Sequence, residues 1–169
     1  MLTDAEINER VGVLLRRQIE ARILAPIIEV FATEFGRERT LEIVTRAIKE
    51  IARQQGRQIA ERANDDGIDA LVARSQAWRM EDALRTVTLE QNETTYDYNV
   101  VRCRYAEMYH EMGIPEIGFL LSCNRDFAFG EGFNPQLQLS RTQTIMEGAS
   151  FCDFRYRLRE TEAEQVGDS

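Results

Sequence analysis

The chain has 169 residues, of which 43% are apolar and 30% charged, and its formal net charge is -8. This length and composition fit one compact domain with a buried core. The acidic excess disfavours nucleic acid and anionic membranes as partners, because both are negatively charged. No apolar run approaches the roughly 20 residues of a membrane-spanning helix, and the acidic start "MLTDAEINER" lacks a signal-peptide core. We therefore expect a cytoplasmic protein whose three cysteines are free thiols or ligands.

The first third of the sequence has the pattern of long helices. "TDAE" at residues 3–6 is typical of a capping box. Pro26 should kink the first helix or begin another, and Gly36 fits a C-terminal cap. A second stripe predicts a helix that ends at "NDDG", residues 64–67, before a short helix over about 68–78. The apolar residues of the first helix recur at helical spacing: Ile7, Val11, Leu14, Leu15, Ile19 and Ile23.

The period then changes to that of strands. "ALRTVTLEQ" and "TYDYNVVRCRY" predict two strands joined by the loop "QNET". "AEMYHEMG" predicts a helix, and Pro115 can begin the next one, "PEIGFLLSCNRDFAF". Two more strands are predicted near 136–145 and 151–158. The domain is expected to cover residues 1–160, followed by a polar tail at 161–169.

This order of elements predicts an α+β fold. The long N-terminal helices should pack on one face of an antiparallel sheet, which is made of two hairpins with helices inserted between them. The sequence leaves a homo-oligomer open.

The last predicted hairpin carries side chains that sheet packing does not require. Strand alternation places Arg141 on the same face as Leu137 and Leu139. A buried guanidinium needs a carboxylate or an anionic ligand, so Arg141 forms either a structural salt bridge or a carboxylate-binding site. On the last strand, Cys152 shares the apolar face, and Asp153 lies on the other.

Asp153 and Arg155 are neighbours on that second face and could pair with each other. Asn134, in "EGFNP", either caps a backbone group or donates to a ligand.

The segment "CNRD" places Cys123 and Asp126 three residues apart on a helix, so they share a side. A thiol can supply a nucleophile for hydrolysis, and a carboxylate can activate water. A nearby carboxylate raises a thiol's pKa unless a cation such as Arg141 compensates, so Asp126 acting on water competes with Cys123 as the attacking group. Burial of Cys123 for packing alone is the structural alternative.

A metal site is a further hypothesis. Cys103, Cys123 and Cys152 could converge on zinc or another divalent metal together with Asp126 or Glu131. Their wide spacing in the sequence makes this signal weak, so no cofactor is firmly implied.

Four segments, in this order, resemble the L-2-amino-thiazoline-4-carboxylic acid hydrolase family: "RRQIEARILAPI", "VVRCRYAEMYHEMGIPEIG", "CNRDFAFGEGFNP" and "LSRTQTIMEGASFCDFRY". The resemblance covers about residues 8–158, and the last two segments are the most specific. The residues that match the family pattern are Cys103, Cys123, Asp126, Asn134, Pro135, Arg141, Thr142, Gly148, Cys152, Asp153, Phe154 and Arg155. The C-terminal half is also distantly similar to four-vinyl-reductase-type ligand-binding domains, some of which bind a structural zinc through cysteines.

The family resemblance implies a hydrolase for non-peptide carbon–nitrogen bonds. Water would open a small cyclic amidine that carries a carboxylate, giving a carbamoyl amino acid; a cyclic amide or ureide is an alternative substrate. Arg141 would hold the substrate carboxylate, and Cys123 or Asp126-activated water would attack the ring carbon. Asp126 or Asp153 would protonate the leaving nitrogen. The expected binding residues around the small anionic substrate are Asn134, Arg141, Thr142, Cys152 and Arg155.

The ligand-binding likeness supports a second hypothesis, a small-molecule binding or sensor domain without turnover, because a fold does not set a function.

Overall fold

The computed structural model describes Leu2 and residues 4–159. The predicted capping box at Thr3 and the predicted tail at 161–169 therefore lie outside the described residues. Among the described residues, no helix is both long enough and apolar enough to cross a membrane.

Four helices form the N-terminal part of the molecule. They are α1 (Asp4–Val11), α2 (Val13–Phe35), α3 (Arg37–Ala63) and α4 (Ile68–Arg79). Gly36 ends α2 with a φ of 87°, as a C-terminal glycine is expected to do. Helix α2 continues through Pro26 as one element, so no new helix begins there.

The apolar stripe that the sequence shows in α2 is not its buried face. The buried residues are Val13, Arg17, Ala21, Ala25 and Ile28. Leu15, Ile19 and Ile23 of the stripe are 45%, 48% and 59% exposed. The core therefore contacts a face of α2 that includes two alanines and Arg17, while these three large apolar side chains stay outside.

The sheet has four antiparallel strands in the order β1-β2-β4-β3. They are β1 (Leu84–Gln91), β2 (Thr95–Cys103), β3 (Leu137–Ser140) and β4 (Cys152–Leu158). In the centre of the sheet, Tyr98 lies opposite Phe154 and Val100 opposite Cys152. These residues are buried and belong to a core cluster shared with helical residues. The α+β fold with helices on one face of the sheet is confirmed.

The prediction of a strand over 136–145 is wrong after Ser140. The carboxylate of Asp153 accepts hydrogen bonds from the backbone N–H groups of Thr142 (2.9 Å) and Gln143 (2.9 Å) and from Thr142 Oγ1 (2.7 Å). These bonds hold residues 141–144 as a loop, so Arg141 lies beyond the end of β3 and not on its face.

Between the two strand pairs lie α5 (Arg104–Glu111), α6 (Pro115–Gly118), a π-helical turn (Phe119–Cys123) and α7 (Arg125–Phe133). Pro115 occupies the start of α6, as the sequence predicts. The single helix predicted from Pro115 is divided by the π-helical turn, a feature that often occurs at functional sites.

Helices α3 and α7 approach each other at two glycines. A Cβ atom on Gly56 would lie 2.3 Å from the carbonyl oxygen of Phe129, and one on Gly132 would lie 2.0 Å from that of Arg53. Only glycine fits these positions without moving a backbone. This contact sets where α7 lies relative to α3.

Substitution of Gly132 by alanine should lower the free energy of unfolding by about 1–3 kcal/mol, because the added methyl group forces the two backbones apart. Gly130→Ala is the matched control on the same helix. Its Cβ would meet Tyr156 and Leu137 at 3.8 and 3.9 Å, which is ordinary contact. We expect that control to be neutral or up to about 1 kcal/mol more stable, because alanine favours helix. Urea unfolding of both variants tests the contact, and equal stabilities would contradict it.

Candidate active site

A cavity of about 170 Å³ lies between the inner face of the sheet and helices α2, α3, α4 and α7. For comparison, an engineered protein cavity of about 150 Å³ holds one benzene molecule. The space therefore suits a ligand with a single small ring.

One wall of the cavity is aromatic. The rings of Tyr98 and Phe154 stack with centroids 4.9 Å apart and an interplanar angle of 5°. Trp78 meets Phe129 edge to face at 5.0 Å. All four rings line the cavity, as does Tyr156. Such a wall favours a flat ligand that can lie against a ring face.

Asp126 and Arg141 form an ion pair at the cavity wall. Arg141 also donates to the carbonyl oxygen of Cys123 at 3.2 Å. Its guanidinium lies 5.1 Å from the ring centroid of Phe127 and 5.3 Å from that of Phe154. The side chain of Arg141 is only 4% exposed, so the structure gives this buried cation the partner that the sequence requires.

Burial raises the pKa of Asp126 to about 6, even though the charge of Arg141 and its hydrogen bond lower it. The side chain keeps 33% of its surface open, and this surface contributes to the cavity lining. Asp126 is thus ionised at pH 7, yet it accepts a proton only slightly below neutrality. That range suits a general base.

All three cysteines line the cavity as thiols. Burial, followed by the charge of Asp126, raises the pKa of Cys123 well above its usual value, and Arg141 does not offset these effects. Burial also raises the pKa of Cys103 to about 11 and that of Cys152 above its ordinary value. Since the thiolate is the reactive form, these side chains are weak nucleophiles at neutral pH.

The described cysteines and Asp126 do not form a metal site. No group of three or more His, Cys, Asp or Glu side chains within the described ranges could hold one. Two of the sulfur atoms accept backbone hydrogen bonds: Cys103 from the N–H of Ala106 at 3.4 Å, and Cys152 from that of Ile145 at 3.2 Å. These bonds orient the thiols toward loop and helix backbones.

Four predicted site residues do not line the cavity. Asp153, on β4, accepts a hydrogen bond from Thr142 Oγ1 in the loop after β3. Arg155 lies on the opposite face of the sheet, where it donates to Asn99 Oδ1 at 2.9 Å, and not to Asp153. Asn134 ends α7, donating to the carbonyl oxygen of Asp66 (3.1 Å) and accepting from the N–H of Gln136 (2.8 Å).

Sequence reasoning missed four arginines at the cavity, Arg17, Arg62, Arg74 and Arg125. Arg17 recurs with Val13, Ala21 and Ala25 at intervals of four residues, and this helical spacing in the sequence could have identified the buried face. Arg125 carries no such signal, because it sits in a polar run beside Asp126 and its burial arises from α2 and α3.

The family model described as L-2-amino-thiazoline-4-carboxylic acid hydrolase matches residues 16–156. The chain belongs to this family. No curated protein matches the chain. Among solved structures, the chain is similar to the phenol-responsive sensory domain of the transcription activator PoxR, which was crystallised with phenol. The TM-score is 0.51 and the sequence identity is 11%. The match covers 86% of this chain and 76% of the PoxR domain. At this identity the similarity shows a shared fold. It agrees with the distant similarity of the C-terminal half of the chain to four-vinyl-reductase-type ligand-binding domains.

Replacement of Arg141 by methionine should raise the pKa of Asp126 above 6, because both favourable effects of the cation disappear. The folded pKa of Asp126 already exceeds the roughly 3.9 of a free aspartate, so its ionisation destabilises the fold as the pH rises from about 4 to 6. In the variant this decline should extend to higher pH. Carboxyl carbon-13 NMR and urea unfolding against pH measure both effects.

Arg157→Met is the control, because Arg157 pairs with Asp97 away from the cavity. It should leave the titration of Asp126 unchanged. An unchanged midpoint in Arg141→Met would show that the ion pair does not govern Asp126.

Proposed function

We propose that the protein is a hydrolase that opens a small cyclic amidine bearing a carboxylate, with Asp126 as the base that activates water. The observation that carries the proposal is an aspartate with a raised pKa at the wall of a ring-sized cavity, in a member of a family described as a hydrolase of 2-amino-thiazoline-4-carboxylate. Cyclic amides and ureides of similar size stay within the proposed substrate class.

Water activation by Asp126 is favoured over attack by Cys123. A carboxylate with a pKa near 6 is ionised at pH 7 and strong enough to take a proton from attacking water. Cys123 would first have to lose a proton at a pKa well above its usual value. Arg141 would orient the Asp126 carboxylate through their ion pair and so act as a positioning residue.

Ring opening of 2-amino-thiazoline-4-carboxylate consumes one water molecule. Asp126 takes one proton from water while the oxygen bonds to the amidine carbon. Collapse of the tetrahedral intermediate breaks the bond from that carbon to the ring sulfur, which takes the proton held by Asp126, and the second proton of the water passes to the ring nitrogen as the carbonyl forms. For this substrate the leaving atom is therefore sulfur, and not the nitrogen that the family resemblance led us to expect. The product keeps both nitrogens on the former ring carbon as a carbamoyl group and carries a free thiol. In a cyclic amide or ureide, the ring nitrogen would leave instead.

The alternative is a sensor domain that binds a small ring without turnover. The fold is shared with a sensory domain that responds to phenol, and the aromatic wall suits such a ligand. The two functions differ in whether a ring compound gains one water.

The decisive experiment incubates the protein with 2-amino-thiazoline-4-carboxylate, hydantoins, dihydropyrimidines and lactams, and detects the gain of one water by mass spectrometry. We expect turnover, loss of at least about 100-fold in Asp126→Asn, and retention of most activity in Cys123→Ser. In the wild type, kcat/KM should rise with pH around an apparent pKa of about 6, because the base must be deprotonated.

Asp97→Asn is the matched control, since Asp97 pairs with Arg157 away from the cavity. Circular dichroism of each variant checks the fold. Loss of turnover in folded Cys123→Ser would assign the attack to the thiol. Loss in Asp153→Asn but not in Asp126→Asn would assign the base to Asp153 on β4. Tight binding of a ring with no water gained would favour the sensor.

A further inference from the structure

The cavity is strongly cationic in an acidic protein. The described residues that line it include five arginines, Arg17, Arg62, Arg74, Arg125 and Arg141, and one carboxylate, Asp126. The whole chain carries a net charge of -8. Arg62 is exposed and Arg74 is only partly buried, so water solvates their charges, but Arg17 and the side chain of Arg141 are buried and Arg125 is partly buried. Since a buried cation is costly without a counterion, this local reversal of charge indicates a site for an anionic group.

Among the cavity arginines, Arg62 is exposed to water, whereas Arg125 is partly buried. Arg125 is the first residue of α7 and donates one hydrogen bond, to Gln55 Oε1. No carboxylate among the described residues forms an ion pair with it. Burial, followed by the charge of Arg17, lowers its pKa to about 10. A guanidinium has five N–H donors, so most of those of Arg125 are left for a ligand.

The other cavity arginines with defined partners are already engaged. Arg141 binds Asp126 and the carbonyl oxygen of Cys123. Arg17, which is 9% exposed, pairs with Glu20. Arg141 is therefore poorly suited to hold a substrate carboxylate, because that role would compete with its bond to the proposed base.

We propose that Arg125, with Arg17 beside it, binds the carboxylate of a one-ring ligand and is the anion anchor of the cavity. The proposal rests on the cavity being the substrate site of the proposed function, and it moves the anchor from Arg141 to Arg125. A planar guanidinium suits a carboxylate because it can form two parallel hydrogen bonds.

Calorimetric titration tests the anchor with matched pairs: 2-amino-thiazoline-4-carboxylate and its carboxamide, and 2-pyrrolidone-5-carboxylate and its carboxamide. The wild type should bind at least one acid roughly 10- to 100-fold more tightly than its amide, as expected for charge-assisted hydrogen bonds. Arg125→Gln should lose this preference. Arg39→Gln, an exposed residue paired with Glu42, changes the net charge equally and should keep it.

Thermal unfolding separates an anchor from a structural residue. Arg125→Gln should leave the melting temperature unchanged or raise it, because it removes a partly buried cation that no described carboxylate pairs with. A marked fall in melting temperature, a preserved acid preference in Arg125→Gln, or a wild type that binds none of the acids above its amide would overturn the proposal. Binding with the expected preference but without turnover would support the anchor and refute the hydrolase.

A second, independent feature is the exposed apolar stripe of α2. Its members are Leu15, Ile19, Ile23, Ile27, Val30, Phe31 and Phe35, which are between 44% and 70% exposed. The stripe spans about 30 Å at 1.5 Å per residue. It leaves on the order of 700 Å² of apolar surface uncovered, close to what one partner buries in a standard-size interface and above the usual largest patch on a monomer.

The stripe is also self-complementary. In an antiparallel pairing about its middle, Leu15 would meet Phe35 of the partner subunit, and Ile19 would meet Phe31 of the partner subunit. A twofold dimer needs this match, because each patch must contact its own copy. The last ten residues of the chain offer only Ala163 and Val166 as apolar cover. We infer that a second copy of this chain covers the stripe.

Light scattering after size exclusion, from about 5 to 500 μM, should give the mass of two chains for the wild type. Ile23→Glu should give the mass of one chain, while Val87→Glu, at an exposed apolar site on β1, should stay dimeric. A monomeric wild type throughout this range, or a dimeric Ile23→Glu, would refute the interface.

Discussion

The cavity depends on the close contact between helices α3 and α7. Gly56 and Gly132 allow the two backbones to touch, with no space for even a methyl group at either position. Because Arg125 and Asp126 occupy the first turn of α7, this contact sets the backbone positions from which both side chains extend. Gln55, the residue before Gly56, then lies within hydrogen-bonding reach of Arg125. A loss of packing at the glycines would therefore change the chemistry of the cavity as well as its stability.

The opposite wall is set by the sheet and by one loop. Strand pairing brings the aromatic side chains of β2 and β4 together on the inner face. Asp153 holds residues 142 and 143 through their backbone N–H groups, and this places Arg141 beyond the strand end, where it reaches Asp126. Asp153 thus contributes to the site indirectly. Asp153 therefore matches the family pattern while having a structural role, since it holds the loop that carries Arg141.

The electrostatics of the cavity divide its charged residues into two groups. Asp126 and Arg141 satisfy each other, yet burial still keeps the Asp126 pKa near 6, in the range of a base that works at neutral pH. Arg125 lacks such a partner in the described structure and retains its binding capacity. The same burial that activates the carboxylate suppresses the thiols, since each low-dielectric position favours the neutral form. One physical effect therefore distinguishes Asp126 from Cys123.

The sequence by itself determined the α+β order of elements, the family, and the need of Arg141 for an anionic partner. These features depend on local periodicity, on turn residues and on the cost of burying a charge, all of which can be read along the chain. Only the tertiary structure decided which face of α2 is buried, that Arg141 pairs with Asp126, and that Asp153 and Arg155 lie away from the cavity. It also brought Arg17 and Arg125 to one wall from helices more than 100 residues apart in the chain. Burial and pairing depend on which elements meet, and contacts between distant segments leave no periodic signal in the sequence.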